Sequence, residues 1–444
     1  MSTYQDTLDF LYTRLPMFSR VGSSAYKKDL TNTLSLCEFF GNPQLKFRSI
    51  HIGGTNGKGS TTNYLASIFI EAGKKVGIYT SPHLVDFRER IKIGNLYIDK
   101  EFVIQFVEKA KPLIAQIQPS FFELTVVMAF EYFAQQKVDI AMIEVGLGGR
   151  LDSTNVISPI MSIITNVSID HTNMLGNTLE SIATEKAGII KPNIPIVIGE
   201  FDRRTFPIFE EKAFENQAPI YCAEHLTKMI VDKRLNITID NKLYVLPIEH
   251  ENLSPSYKLK NIITVFQAIS LIYNQKLVEL TDDNFLEIVA RGIQRVYENT
   301  KFIGRWTKWN IHGKQIILEC AHNEAGIEEM KKSIEKESFD NLYIIYGTVS
   351  DKDLEKIISI LPRKSNYNYI LTQANIPRAL PASDLANIFS KNKISYISCH
   401  SSVSIALKKT LELAQPNDII LVAGSIFLVG EIVDIVQNIL KVEV

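Results

Sequence analysis

Cysteine is scarce in this sequence, which contains four among its 444 residues. They stand at positions 37, 222, 320 and 399 and form no CxxC pair, so we predict neither a zinc site nor a disulfide framework. Long hydrophobic runs are also absent: the longest, residues 419–430, is interrupted by Gly424 and Ser425, whereas a membrane span needs about 20 apolar residues. The N-terminal residues, Met-Ser-Thr-Tyr-Gln-Asp, lack the basic and apolar segments of a signal peptide. These absences predict a cytoplasmic protein of a reducing compartment with no membrane partner.

An excess of charge of one sign is missing as well. The chain has 48 Lys and Arg against 49 Asp and Glu, a formal net charge of −1. Such a balance produces no field strong enough to steer the protein onto nucleic acid, so we expect no nucleic-acid partner. Hydrophobic residues make up 45% and charged residues 22%, which is a globular composition. At about 100–200 residues per domain, the length predicts two or three domains.

The sequence does contain a recurring succession of a short apolar run, a glycine-containing turn and a helical pattern. In the first part of the chain the runs are residues 49–53, 76–79, 140–145, 161–167 and 194–198. Unbroken runs of this length are typical of strands buried on both faces of a parallel sheet, although buried helix segments remain an alternative. Residues 228–246 instead alternate apolar and polar side chains around Asp240-Asn-Lys, which predicts a small antiparallel β element.

A second series of apolar runs begins after residue 300, at residues 315–318, 342–346, 369–372, 394–398 and 419–423. We therefore predict an α/β protein of two domains. Residues 1–299 form a large P-loop-type domain with a mostly parallel sheet and the small antiparallel element. Residues 300–444 form a smaller, Rossmann-like α/β domain.

The segment Gly53-Gly-Thr-Asn-Gly-Lys-Gly-Ser60 predicts a phosphate site between the first strand and a helix. Glycines allow backbone N–H groups to surround an anion, the helix N-terminus favours negative charge, and Lys58 adds a cation. The match to GxxxxGK[ST] is imperfect, because Ile52 takes the first glycine position and Gly59 the position of the Mg²⁺-binding hydroxyl. A tight turn with a surface lysine is the alternative.

Three polar residues follow predicted strands at their carboxyl ends, where open α/β sheets place their ligand chemistry. Ser81 follows the run 76–79, Glu144 follows the apolar residues 140–143, and His171 follows the run 161–167. They would bring a hydroxyl, a carboxylate and an imidazole beside the phosphates. Mg²⁺ prefers oxygen ligands, so spacing alone leaves His171 between a metal ligand and a capping or hydrogen-bonding residue.

Many short motifs in a fixed order resemble the Mur ligase superfamily, and most closely its folylpolyglutamate synthase and dihydrofolate synthase branch. Besides the glycine turn they include Thr80-Ser-Pro-His-Leu84, Glu144–Asp152, Asp170-His171, Glu185–Pro192, Ala321-His-Asn323, Asp351-Lys-Asp353 and Gly424-Ser425. The resemblance implies an ATP-dependent ligase of folate biosynthesis and one-carbon metabolism. In this reaction a carboxylate attacks the γ-phosphate of ATP, and the amine of L-glutamate then displaces phosphate from the acyl phosphate.

The resemblance also implies roles for individual residues. The residues expected to bind ATP are Gly54, Thr55, Asn56, Gly57, Lys58, Gly59, Ser60, Asn261, Arg305 and Glu319. The residues expected to bind Mg²⁺, as two ions, are Ser81, Glu144, His171 and Lys186 as a carbamate formed with CO₂. The residues expected to act in catalysis are Lys186, Glu319, His322 and Ser425. The residues expected to line a pterin pocket are Phe121, Phe122, Glu123, Leu151, Asp152 and Ser153.

Alternatives accompany several of these roles. Lys186 could remain a plain phosphate-binding cation, and the two phenylalanines could be ordinary core. Glu319 stands where the family usually has Asp, and the residues before Asn261 depart from the family's Gly-x-His-Gln run.

The length of the segment before the glycine turn limits which class of acceptor substrate the protein can bind. About 50 residues leave no room for the UDP-sugar domain of cell-wall Mur ligases, which favours a pterin acceptor. The sequence does not distinguish dihydropteroate, a reduced folate or both as the acceptor, and we expect a bifunctional enzyme. We also expect a monomer whose partners are small-molecule substrates. The alternatives are another Mur-type acid–amino-acid ligase, and a P-loop ATPase or switch with no ligase step.

Overall fold

The computed structural model describes residues 3–17, 29–231, 234–239, 242–249, 255–278, 284–350 and 354–439. The chain divides into two structural units, one of Met1–Pro82 with Arg88–Phe302 and one of His83–Phe87 with Ile303–Val444. The division falls after residue 302, where the sequence predicted it after 299. The assignment of His83–Phe87 to the second unit has no counterpart in the sequence-based prediction.

The first unit is built on an eight-stranded sheet with the order β4-β3-β2-β5-β1-β6-β7-β8. Its strands are β1 Ser49–Gly53, β2 Val76–Tyr79, β3 Ile91–Ile93, β4 Leu96–Tyr97, β5 Ile140–Glu144, β6 Met161–Ile164, β7 Ile196–Ile198 and β8 Ile220–Cys222. The six strands from β2 to β8 in this order pair in parallel, and β3 and β4 are antiparallel at one edge. The central strand β1 therefore has β5 and β6 as its neighbours.

Helices cover this sheet and connect its strands. They are α1 Tyr4–Arg14, α2 Thr31–Phe39, α3 Lys58–Glu71, α4 Lys100–Ile117, α5 Phe121–Gln135, α6 Thr172–Leu175, α7 Leu179–Ala187, α8 Phe206–Glu215, α9 Ser256–Asn274, α10 Phe285–Gln294 and α11 Val296–Thr300. Short 3₁₀ turns span Pro43–Leu45, Phe87–Arg90, Ser153–Val156 and Ala223–His225. Because β1, β5 and β6 are buried along their whole length, their unbroken apolar sequences are the expected ones for covered parallel strands.

The predicted small antiparallel element is confirmed, as a sheet of three strands. These are β9 Thr227–Val231, β10 Arg234–Ile239 and β11 Lys242–Glu249, with β10 in the middle. Alternation places Leu235 and Ile237 of β10 in the same hydrophobic core as Phe266 of α9. Residues 240 and 241 of the predicted turn lie outside the described residues.

The second unit contains a six-stranded sheet with the order β12-β13-β17-β14-β15-β16. Its strands are β12 Arg305–Ile311, β13 Lys314–Glu319, β14 Leu342–Tyr346, β15 Tyr367–Leu371, β16 Ser398–Cys399 and β17 Ile419–Ala423. Its helices are α12 Glu324–Ile334, α13 Leu354–Ile360, α14 Ala382–Lys391, α15 Val403–Leu413 and α16 Ile426–Asp434, which a π-helical segment, Ile435–Ile439, follows. All pairs are parallel except β12 with β13.

The α/β architecture is thus as predicted, and two details of the second unit differ. The edge strand β12 was not predicted, because its side chains alternate between buried and exposed positions and form no unbroken apolar run. The predicted strand 394–398 is reduced to Ser398–Cys399. The motif at 351–353 lies outside the described residues. Within the described part of the chain, no helix has the length and apolarity needed to span a membrane.

Candidate active site

The predicted phosphate loop lies between β1 and α3, at the carboxyl edge of the central strand. Gly54 and Gly57 have φ angles of 138° and 85°, which side-chain-bearing residues rarely adopt. A Cβ atom at Gly54 would overlap the hydroxyl of Thr165, and one at Gly57 would overlap the side-chain oxygen of Asn261. Asn261, which was predicted to bind nucleotide, therefore lies against the loop.

Residues that follow β6 hold the loop from its other side. The Thr165 hydroxyl donates to the Asn56 carbonyl at 2.6 Å, and the Asn56 N–H donates to Asn166 Oδ1 at 2.9 Å. The Thr55 N–H donates to the Asn166 carbonyl at 3.0 Å. These hydrogen bonds shape the backbone of the loop. Thr165 and Asn166 were missed in the sequence, although their position directly after a buried strand beside β1 was the available signal.

Lys58 is the first residue of α3, and its side chain folds back over the loop. Its Nζ donates to the carbonyls of Gly54 at 3.0 Å and Thr55 at 3.1 Å. The ammonium group is therefore held where the loop N–H groups and the positive end of α3 already favour an anion.

Glu144 and Ser81 meet beside the first turn of α3. Glu144 ends β5 with a buried carboxylate, and the Ser81 N–H donates to Glu144 Oε2 at 3.4 Å. A Cβ atom built at Gly59 would stand 3.6 Å from Glu144 Oε2, so the carboxylate lies next to the loop. Two of the predicted Mg²⁺ ligands are therefore together because β2, β5 and β1 are adjacent strands.

His171 lies beyond β6, at the N-cap position of α6, where its φ angle is 51°. Its ring is partly exposed, and Nε2 lies 4.0 Å from Asp170 Oδ1. Among the described residues no group of three or more His, Cys, Asp and Glu side chains is arranged to hold a metal ion. The predicted ligand set contains only two residues of those types, Glu144 and His171, together with Ser81 and a modified lysine.

Lys186 is buried in the last turn of α7. Burial, and then the nearby charge of Lys58, lowers the pKa of its ammonium group to about 7, against the opposing effect of Asp170 and Asp152. A lysine in this environment is largely a neutral amine at slightly alkaline pH, which is the reactive form toward CO₂.

The N-terminus of α5 presents the predicted pterin-binding residues in three different environments. Phe121 is buried, with its ring 5.8 Å from that of Tyr12 and with the Arg90 guanidinium 5.2 Å from its centroid. Phe122 is only partly buried, and its ring packs against Gly146. Glu123 forms a capping box with Ser120, whose N–H donates to Glu123 Oε2 at 2.6 Å. The other oxygen, Oε1, is buried and has no hydrogen-bond partner among the described residues.

Asp152 organises the glycine-rich turn that follows β5. Its two carboxylate oxygens accept the N–H groups of Leu147 at 2.8 Å and Thr154 at 3.0 Å, and also the Thr154 hydroxyl. Burial raises the pKa of Asp152, and these hydrogen bonds oppose that effect. Leu151 is half-buried and Ser153 is buried within the same turn.

Behind this turn, the hydroxyl of Thr154 contacts His51 Nε2 at 2.8 Å, inside the sheet. Burial, and then Lys191, lowers the pKa of His51 to about 3, so the ring is neutral.

In the second unit, the predicted catalytic residues gather at the carboxyl edge of two parallel neighbours, β13 and β17. Glu319 ends β13, is buried, and accepts the Trp306 N–H at 3.2 Å through Oε2. Its Oε1 lies 3.9 Å from the guanidinium of Arg305 on the neighbouring strand β12. Ser425 follows β17 and caps α16 by accepting the Phe427 N–H at 3.2 Å.

His322 stands in the short segment between β13 and α12. Its Nδ1 lies 2.9 Å from the Cys320 carbonyl, which can only accept a hydrogen bond. The proton of the neutral ring is therefore on Nδ1, and Nε2 is left as the basic atom. Asn323 fixes the same segment by capping α12 through the Gly326 N–H at 2.9 Å.

Comparison with known proteins places this arrangement among ligases. Residues 52–225 match the family model described as Mur ligase middle domain, and residues 304–426 match the one described as Mur ligase, glutamate ligase domain. A curated relative, the dihydrofolate synthase/folylpolyglutamate synthase of Buchnera aphidicola subsp. Schizaphis graminum, is 32% identical over 92% of this chain and 94% of its own length.

Solved structures agree with these matches. The folylpolyglutamate synthase of Thermotoga maritima is 30% identical, with a TM-score of 0.79 over 98% of this chain and 97% of that one. A bifunctional folylpolyglutamate synthase/dihydrofolate synthase with Mn, AMPPNP and L-glutamate bound is 25% identical, with a TM-score of 0.82 over 100% and 99% of the two chains. The matches extend over both structural units.

Proposed function

Because the chain belongs to the folylpolyglutamate synthase/dihydrofolate synthase family of Mur ligases, we propose that it joins L-glutamate both to dihydropteroate and to reduced folates. The protein is an ATP-dependent acid–amino-acid ligase of folate metabolism. The observation that supports the reaction best is the phosphate loop at 54–60 with the buried Glu144 carboxylate beside it. A loop of this form binds a triphosphate, and an adjacent carboxylate is the ligand that a nucleotide-bound divalent ion needs.

The nucleotide is held mainly by the first unit in this proposal. Loop N–H groups other than those of Thr55 and Asn56, which donate to Asn166, surround the phosphates. Lys58 neutralises the phosphates, and Asn261 contacts the nucleotide from α9. The family resemblance further assigns Arg305 and Glu319 to nucleotide binding. We assign Ser81, Glu144 and His171 to a divalent-ion site. The hydroxyl and carboxylate oxygens of Ser81 and Glu144 suit Mg²⁺, and His171 would add an imidazole nitrogen. When bound, the ion supplies positive charge to the γ-phosphate.

Activation of the acceptor comes first. A carboxylate oxygen of the acceptor attacks the γ-phosphorus, the bond from that phosphorus to the β–γ bridging oxygen breaks, and ADP leaves. The protein contributes charge neutralisation and alignment, which are the main requirements of phosphoryl transfer. The α-amine of glutamate then attacks the acyl carbon, and phosphate leaves as the C–N bond forms.

We assign the removal of the ammonium proton to His322. Its Nδ1–H is held by the Cys320 carbonyl, so Nε2 is the atom that accepts the proton. Ser425 and Glu319 lie at the same strand edge of the second unit, and we assign them to the binding of the amino-acid substrate and to catalysis.

Lys186 is proposed to act as a carbamate. Its neutral amine adds to the carbon of CO₂, an N–C bond forms, and one proton is lost to solvent. The product is an anion with two oxygen ligands for a second divalent ion. The buried position of Lys186 and the charge of Lys58 support this by favouring the neutral amine.

The acceptor's pterin ring is proposed to bind near the N-terminus of α5. Phe122 is the partly exposed ring there, and Glu123 Oε1 is a buried acceptor of hydrogen bonds. A pterin offers N–H donors on a flat heterocycle, which suits both features. Phe121 packs as core against Tyr12 and Arg90. We assign Leu151, Asp152 and Ser153 to the same proposed pocket.

The test is phosphate release by the purified protein with ATP and L-glutamate, with dihydropteroate and tetrahydrofolate offered separately, and mass spectrometry of the products. We expect acceptor-dependent turnover with a mass gain of one glutamyl unit for each acceptor. Turnover with only one of the two acceptors would show that the enzyme has a single synthase activity and is not bifunctional. ATP hydrolysis at the same rate with or without both organic substrates, and no amide product, would identify a plain ATPase.

A further inference from the structure

A chain of three side chains leads from the phosphate loop to helix α9. The Asn56 N–H of the loop donates to Asn166 Oδ1 at 2.9 Å, and Asn166 Nδ2 donates to Glu200 Oε1 at 3.0 Å. Lys260 Nζ donates to Glu200 Oε2 at 2.7 Å. We call Asn166, Glu200 and Lys260 the loop relay. Asn166 follows β6, Glu200 follows β7 and Lys260 belongs to α9. The relay therefore connects three separate elements to the loop.

The chemistry of Glu200 decides which way the Asn166 amide faces. A carboxylate only accepts hydrogen bonds, so it holds the NH₂ group of Asn166 and leaves the amide oxygen toward the loop. Without Glu200 the amide could turn and present its NH₂ group to the Asn56 N–H, where two donors would face each other. Glu200 is itself fixed, because its own N–H donates to the Thr165 carbonyl at 3.1 Å.

Lys260 connects Glu200 to helix α9, which already contacts the phosphate loop through Asn261. It occupies the second oxygen of Glu200, and the next residue, Asn261, lies against Gly57. The pair is partly exposed, with 43% of the Lys260 and 30% of the Glu200 side chain accessible. Ion pairs of this kind add little to folding stability, so the pair is better explained by the position that it imposes on the loop.

We propose that Glu200 and Lys260 are positioning residues for the nucleotide. They act through the Asn166 amide, which holds the Asn56 N–H, and thereby set the direction of the neighbouring loop N–H groups that receive the phosphates of ATP. The proposal rests on the function proposed above, in which the loop binds ATP. It predicts that the relay controls KM for ATP far more than KM for glutamate.

The first experiment compares Glu200→Ala, Glu200→Gln and Lys260→Met in the full chain. Glu200→Ala should raise KM for ATP, and weaken binding of a non-hydrolysable ATP analogue, by about 10-fold, since an oriented hydrogen bond to a charged group is lost. Glu200→Gln retains an oxygen for Asn166 and should remain within about twofold of wild type; Lys260→Met should fall between the two. KM for glutamate should not change. The control is Glu215→Ala in α8, which breaks an exposed ion pair between Glu215 and Lys212. The N–O distance of that pair is also 2.7 Å.

A second experiment reverses the direction of the hydrogen bond. Asn166→Asp places two carboxylates face to face and should weaken ATP binding, whereas combining it with Glu200→Gln restores a donor. In the double variant the new glutamine donates to the new aspartate, whose other oxygen still accepts the Asn56 N–H. Recovery of affinity in the double variant supports the relay, and it does not depend on whether Glu200→Ala folds.

Two outcomes would overturn the relay: ATP affinity unchanged in Glu200→Ala, or no recovery in the double variant. The proposed function fails separately, if wild-type protein and Lys58→Ala bind the ATP analogue equally weakly. In that case the relay fails with it, because the loop would not be an ATP site.

Discussion

At the scale of single residues, burial has lowered the pKa of two basic side chains, with different consequences. Lys186 and His51 are both fully enclosed, and in each case removal from water is the main cause of a lowered pKa. Lys186 is close enough to Lys58 of the phosphate loop for that charge to lower its pKa, and the neutral amine is the form that we propose reacts with CO₂. His51 lies in the middle of β1 and bonds to Thr154, where a neutral ring can be a hydrogen-bond partner without the cost of a buried charge.

Lys186→Ala tests the carbamate. We expect the ligase rate to fall by at least about 100-fold, because a ligand of the proposed metal site is lost. Added formate, acetate or propionate should restore part of it by supplying the missing carboxylate. Lys186→Arg is the control for a plain cation, and normal activity of that variant would exclude the carbamate.

The same lysine predicts how wild-type activity depends on pH and CO₂. Its pKa is lowered to about 7, so the neutral amine predominates above that pH and is protonated below it. Enzyme freed of CO₂ should regain activity on addition of bicarbonate at pH 8, and much less at pH 6. Equal reactivation at both pH values would contradict the assignment.

His51 predicts an acid sensitivity of folding. The folded protein has a pKa of about 3 for this ring and the unfolded chain the ordinary value of 6.5, so the unfolded chain binds more protons between these values. Stability contributed by the neutral ring is complete above pH 6.5 and declines as the pH falls toward 3. Between pH 7 and pH 5 the loss is about 2 kcal/mol. Urea unfolding at both pH values should show this loss in wild type and not in His51→Gln; parallel losses would refute it.

At the scale of elements, the strand ends determine which side chains meet. Parallel neighbours β2, β5 and β1 bring Ser81 and Glu144 to the phosphate loop, and β6 supplies Thr165 and Asn166 on the other side. In the second unit β13 and β17 do the same for Glu319 and Ser425. Helix α5 contributes in another way, because Glu123 both caps the helix and keeps one oxygen unused by the described residues.

Glu123→Gln separates these two roles of Glu123. Glutamine at this position still completes the capping box with Ser120, so the stability of the fold should change by less than about 0.5 kcal/mol. A buried carboxylate that binds pterin N–H groups would be lost, and KM for the acceptor should rise about 10-fold. Ser120→Ala is the control, since it should cost about 1 kcal/mol of stability through the cap. An unchanged KM for the acceptor would remove Glu123 from the pterin site.

At the scale of the whole molecule, the chain divides into a unit with the phosphate loop and a unit with His322. If phosphoryl transfer depends on the first and amide formation on the second, the two steps can be separated by mutation. This expectation follows from the proposed roles of the residues.

His322→Gln should lower the rate of amide formation by about 100-fold or more, as expected for loss of a general base. Formation of the acyl phosphate should persist, and hydroxylamine should trap it as a hydroxamate in amounts close to those of wild type. Lys58→Ala should instead prevent trapping. If His322→Gln abolishes the hydroxamate too, His322 is required before the amine reacts.

The amino-acid sequence by itself determined the α/β class, the bounds of β1, β2, β14 and β17, and the phosphate loop, because these depend on local patterns. Unbroken apolar runs identify covered strands, and glycines at 54 and 57 follow from backbone conformations that other residues avoid.

Only the tertiary structure decided the edge strand β12, the membership of His83–Phe87 in the second unit, and the contacts of Thr165, Asn166 and Glu200. The physical reason is the same in each case. Each of these features depends on which distant segments of the chain become neighbours in the fold. Local sequence preferences do not determine that pairing.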